Sequence, residues 1–199
     1  MGAALARALT GASVRFGRMR VSRASALALR AQSLDAGLYE KLAGARAPRL
    51  DGAMSLLTRS ADHARLWLGV AALMSVTGGE AGRRAARRGL LSLVLASAVA
   101  NLLCKPLAPR RRPVRKVPLG RGAAYVRMPV TSSFPSGHAA SAFGFASGAG
   151  AAAPRLGAPL RVLAALVAYS RVHTGVHYPA DSLAGALVGT LAARLLPRR

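Results

Sequence analysis

The sequence predicts an all-α protein, a helical bundle of five to six mostly transmembrane helices, and three features carry that expectation. Uncharged runs rich in Ala, Leu, Val and Gly span Leu66–Gly79, Gly89–Cys104, His138–Pro154, Val162–Ser170 and Ser182–Ala193. They lack the β-branched clusters and period-two alternation of half-buried strands. They also lack a polar face, which helices on the outside of a soluble bundle must carry.

Composition narrows the class further. Of 199 residues, 52% are hydrophobic, and 29 Lys+Arg against 6 Asp+Glu give a formal net charge of +23. Disordered chains are poor in apolar residues, so most of this chain is ordered. The single cysteine, Cys104, excludes a disulfide-stapled scaffold. Such a basic chain pairs with polyanions: nucleic acid, an anionic membrane surface or phosphate-bearing substrates. Nucleic acid is the weakest of these. Aromatic residues are only 5% and apolar runs interrupt the basic ones, so stacking platforms and a continuous basic stripe are missing.

Residues 1–50 are expected to form a basic N-terminal arm and amphipathic segment, and residues 51–199 the bundle domain. The arm carries Arg7, Arg15, Arg18, Arg20, Arg23 and Arg30 and no acid before Asp35. That composition overlaps with a transit peptide and with an arm on anionic lipid, and a solvated tail fits it at least as well as either. From Ser33 to His63, Leu34, Leu38, Leu42, Met54, Leu56 and Leu57 recur among charges, predicting two short helices across or beside the main body. The five apolar runs follow. The run Gly89–Cys104 would reach roughly 24 Å as a helix, against a hydrocarbon core of about 30 Å. Flanking Arg88, Arg161 and Arg194 are placed to snorkel to the interface. Residues 105–137 form a long, basic loop, and long structureless loops are usually functional.

Three clusters of reactive side chains lie at the ends of the runs. The first holds Lys105 and Arg112, an ammonium and a guanidinium that can grip a phosphate from two sides. The second is Pro135-Ser136-Gly137-His138, where a helix start offers free N–H groups to an anion and His138 can move a proton. The third runs from Ser170-Arg171 through His173 and His177 to Asp181, the one acid after Glu80. A helix beginning near Pro179 puts Asp181 one turn beyond His177, where it can orient the imidazole. His173 and His177 are also spaced for a metal. No Glu follows His173, and Cys104 is the one other soft ligand, so packing is the better reading of His173.

In order and spacing, Lys105-x6-Arg112-Pro113, Pro135-Ser136-Gly137-His138 and Ser170-Arg171-x5-His177-x3-Asp181 resemble the three-part signature of the type 2 phosphatidic acid phosphatase superfamily. That superfamily includes bacterial acid phosphatases and vanadium haloperoxidases. The resemblance covers roughly residues 51–199. The stretch from Leu50 to Arg112 is also similar to the phosphatase half of actinobacterial proteins joined to a lipid kinase.

The resemblance implies a membrane-embedded helical bundle of a bacterial cell membrane, with six core helices, the sixth drawn from residues 35–63. It implies that His177 attacks phosphorus, Asp181 holds its imidazole and His138 protonates the leaving group. Lys105, Arg112, Ser136, Gly137 and Arg171 would bind the phosphate oxygens. No metal or cofactor is needed in that scheme. The expected substrate is a lipid phosphate or polyprenyl diphosphate. A soluble acid phosphatase or a vanadium-dependent haloperoxidase is the alternative within the same superfamily, and a basic nucleic-acid- or anionic-lipid-binding protein the alternative outside it.

Overall fold

In a computed structural model, the described residues are 23–44, 48–115, 119–120, 123 and 126–197, and among them every regular element is helical. The chain divides into two compact units, residues 1–33 and 34–199. Of the N-terminal arm, residues 1–22 lie outside the described residues.

Helix α1 spans Arg23–Gly44, and α2 spans Pro48–Ser60. The second half of α1, from Leu34, belongs to the larger unit, where Tyr39 and Ala43 pack on Val172. Two short helices are expected from Ser33–His63; α2 lies within that stretch, whereas α1 starts ten residues before it and runs for 22 residues. A short 3-10 turn, Asp62–Ala64, leads into α3, Arg65–Thr77.

The second, fourth and fifth runs extend into longer helices than their uncharged cores, whereas the first and third match theirs. Helix α4 runs Gly79–Leu107, 29 residues, which is about 43 Å of helix. Among the described residues it is the one helix long and apolar enough to cross a membrane. It starts ten residues before Gly89 and carries Arg83, Arg84, Arg87 and Arg88 in its body. A π-helical segment, Val99–Cys104, precedes Lys105. Helix α5 spans Gly137–Ala152, α6 Pro154–His173 and α7 Pro179–Leu195. Pro154 and Pro179 each open their helix, where a missing N–H costs no hydrogen bond.

Helix α5 is the axis of the bundle and packs against α4, α6 and α7. Its sequence, GHAASAFGFASGAGAA, explains the position. Small residues allow backbones to approach closely on every side. A Cβ built on Gly148 would lie 2.1 Å from Ser92 Oγ, and one on Gly189 of α7 would lie 2.2 Å from the Ala140 carbonyl oxygen. Phe145 provides the large side chain, its ring 5.0 Å from that of Trp67 on α3. Ala61, Met74, Leu93 and Val167 complete this core.

Arg88 departs from the snorkelling role. It is buried, and its guanidinium donates to the carbonyls of Leu196 (3.0 Å) and Pro197. It therefore satisfies orphan carbonyls beyond the C-terminal end of α7.

A candidate active site at the helix ends

The turn after α6 sets the position of His177. Gly175 adopts a left-handed φ of +80°, and the N–H groups of Val176 (2.9 Å) and His177 (3.1 Å) both return to the Arg171 carbonyl. This tight wrap turns His177 back toward the end of α6. Asp181 lies in the first turn of α7, where its Oδ2 accepts the Tyr178 N–H at 2.9 Å and caps the helix.

The two side chains meet differently from the simple pair expected. His177 Nδ1 is 3.6 Å from Asp181 Oδ2, beyond hydrogen-bond reach. Ser133, fully buried, lies between them: its hydroxyl donates to Asp181 Oδ2 and sits 3.4 Å from His177 Nδ1. On the other side of the ring, Arg112 Nη1 approaches Nε2 at 3.3 Å. Arginine can only donate, so Nε2 carries a lone pair and Nδ1 the proton. Burial, then the Arg112 and Arg171 guanidiniums, outweigh Asp181 and push the His177 imidazole down to about 4. His177 is thus neutral at pH 7 with its free lone pair on Nε2.

Arg112 also ties two parts of the long loop to this turn. It donates to the carbonyls of Thr131 (3.0 Å), Ser132 (3.2 Å) and Val176 (3.0 Å). Lys105 Nζ lies 3.5 Å from Thr131 Oγ1. Arg171 is almost wholly buried, with Nη1 bonded to Thr58 Oγ1 at 2.6 Å. Its Nε–H has no hydrogen-bond partner among the described residues. A buried guanidinium with an unmet donor is a group that an anion would satisfy.

A cavity of about 340 Å³ joins these segments, and Lys105, Arg112, Gly137, His138, Arg171 and His177 all line it. Asp181 stands behind His177. Ser136 is buried at the start of α5, where its hydroxyl accepts the Ala139 N–H at 3.4 Å. Trp67, Leu93 and Ala61 add apolar lining to the same cavity.

His173 and His177, the pair considered for a metal, face different partners. His173 is fully buried, its Nε2 2.7 Å from Asp51 Oδ1. The Gly120 N–H reaches Asp51 Oδ2 at 2.8 Å, and Arg115 donates to the His173 carbonyl. Burial works against its ionisation, but the Gly120 N–H and His173 hold the Asp51 carboxyl below the usual range.

Several partners have no signal in the spacing of the motifs. Arg110 Nη1 bonds Asp181 Oδ1 at 2.7 Å while its Nη2 bonds Asp35 Oδ2 at 2.7 Å. Asp35 Oδ1 also accepts the Ala180 N–H at 2.9 Å. Asp62 Oδ1 lies 2.8 Å from His138 Nε2. The scarcity of acid is the one clue to Asp35 and Asp62, which belong to the small set of six, and nothing in the sequence marks Arg110.

The profile of a family described as the PAP2 superfamily matches residues 86–199. Two solved structures are similar in fold, each 24% identical. One is LpxE of Aquifex aeolicus, with a TM-score of 0.62 over 81% of this chain and 93% of that one. The other is described as the first transmembrane PAP2 type phosphatidylglycerolphosphate phosphatase from Bacillus subtilis, with a TM-score of 0.64 over 83% of this chain and 84% of that one. No curated protein sequence matches.

Proposed function

Since the chain belongs to the PAP2 superfamily, we propose that it is an integral-membrane phosphatase that hydrolyses a lipid phosphate or polyprenyl diphosphate through a phosphohistidine at His177. The observation that carries this reading is one cavity that gathers His138, His177 and the cations Lys105, Arg112 and Arg171 from the three motif segments.

Hydrolysis proceeds in two displacements. The Nε2 lone pair of His177 attacks phosphorus, the bond to the leaving oxygen breaks, and that oxygen takes a proton from His138. His138 then accepts a proton from water as the water oxygen attacks phosphorus, and the P–N bond breaks to release phosphate. Asp181, through Ser133, holds the proton on Nδ1 and keeps Nε2 free. Lys105, Arg112, Arg171 and the N–H of Gly137 at the start of α5 bind the oxygens whose charge redistributes. Ser136 fixes that helix start.

A lipid substrate is supported by the surface and by the cavity wall. Leu73, Leu91, Val94, Val162, Leu183 and Leu187 project outward, as hydrocarbon-facing side chains do. Trp67 and Leu93 give the cavity an apolar side on which an alkyl chain can lie. The similar fold from Bacillus subtilis is that of a transmembrane phosphatidylglycerolphosphate phosphatase.

The test is phosphate release by detergent-purified protein in EDTA, across lipid phosphates, polyprenyl diphosphates and soluble esters. Release from lipid substrates, abolished in His177→Ala, is expected. Full activity in that variant would overturn the nucleophile, and release confined to soluble esters would overturn the lipid reading.

A further inference from the structure

Asp62 belongs to none of the three motifs and precedes the region that matches the family. Its carboxylate Oδ1 nevertheless lies 2.8 Å from His138 Nε2 and 3.7 Å from Arg171 Nη1. The same oxygen thus faces both the imidazole assigned to the leaving group and a guanidinium assigned to the phosphate.

The backbone around Asp62 is bent to hold it there. His63 and Ala64, the next two residues, take left-handed φ values of 54° and 61°. Non-glycine residues seldom adopt that region, and consecutive cases persist where the surroundings impose them. Ala61, His63 and Ala64 also line the cavity, so the bent turn forms part of its wall. The side chain of Asp62 is 38% exposed, outside the core, and reaches the cavity through His138, which lines it. The His138 hydrogen bond and the nearby Arg171 hold its carboxyl below the usual range, so it is ionised at neutral pH.

We propose that Asp62 is the positioning carboxylate of the leaving-group histidine, holding one ring nitrogen of His138 so that the other faces the departing oxygen. The proposal rests on the phosphatase reading. In the first displacement the P–O bond breaks, its electron pair stays on the leaving oxygen, and that oxygen takes its proton from His138. Asp62 keeps its negative charge throughout and stabilises the imidazolium that supplies the proton. The cavity is then lined by two imidazoles, each backed by a carboxylate, with opposite tasks. His177 with Asp181 serves the attacking side, and His138 with Asp62 the departing side, as an in-line displacement requires.

Help at the departing side matters in proportion to the basicity of the leaving group. An alkoxide leaves poorly without a proton, whereas nitrophenolate leaves unaided. Asp62 therefore biases the chain toward alkyl phosphates. The comparison is kcat/KM of full-length wild type and Asp62→Asn on a lipid alkyl phosphate and on p-nitrophenyl phosphate, because kcat/KM reports events only through the first displacement. General acid–base help is worth about 100-fold or more, so a loss near 100-fold is expected on the alkyl ester, with a loss below about threefold on the nitrophenyl ester.

Equal losses on both esters would overturn the assignment, because a residue that merely holds the site together does not sense the leaving group. Unchanged rates on both would overturn it as well. A second variant guards against misfolding: Asp62→Asn combined with His138→Ala should be no slower on the alkyl ester than His138→Ala alone. Additive losses would place Asp62 on a separate task. A wild-type chain inactive on both esters would sink the phosphatase reading and this assignment together. Wild-type activity with equal losses would sink Asp62 alone.

Discussion

At the scale of single residues, the site works through who donates to whom around His177. Its neutral state depends on burial and on two guanidiniums. Protonation of the nucleophile should therefore end activity near pH 4, below the usual imidazole value of about 6.5. Arg112→Ala removes a cation that disfavours the imidazolium, so it should move that acid limb to higher pH, measurable on the residual activity. Ser133→Ala removes the hydroxyl between His177 and Asp181. A fall in kcat of about tenfold is expected, the size of one hydrogen bond to a charged group, read as phosphate release. His177 and Asp181 were legible because i,i+4 spacing is local geometry. Asp62 and Arg110 were not, since their contacts with His138 and Asp181 span 76 and 71 residues. Only folding brings such pairs together.

At the scale of elements, helix class and order were plain in the apolar runs, whereas helix lengths were not. Charged residues mark the end of an uncharged run, but a helix continues through them when one face is covered. Arg88 is the instance: it looks like a helix flank, yet it lies inside α4 and clasps the carbonyls of Leu196 and Pro197. The glycines of α7 decide how near that helix stands to α5. Gly189→Ala would put a Cβ 2.2 Å from a backbone oxygen, which cannot swing aside as a side-chain tip would. The two helices must separate, with a destabilisation of about 2 kcal/mol, seen as a lower thermal midpoint in detergent. The same change at Gly69, which has nothing within 4 Å of its built Cβ, should leave the midpoint unmoved or slightly raised.

At the scale of the whole molecule, an apolar exterior combines with a net charge of +23. On the membrane reading, the protein should remain with membranes after alkaline carbonate washing and be released by detergent, as fractionation would show. Release by the wash alone would contradict that placement. Four of the six acids, Asp35, Asp51, Asp62 and Asp181, take partners around the candidate site: Arg110, His173, His138 and again Arg110. Three of these four precede residue 86, where the family match begins. The segment that the family profile matches is therefore smaller than the unit that must be inherited together. A hybrid joining residues 86–199 to another protein's N-terminal half would receive foreign acids. Unless those fell opposite Arg110, His138 and His173, its shared motifs would be intact in sequence and mismatched in charge.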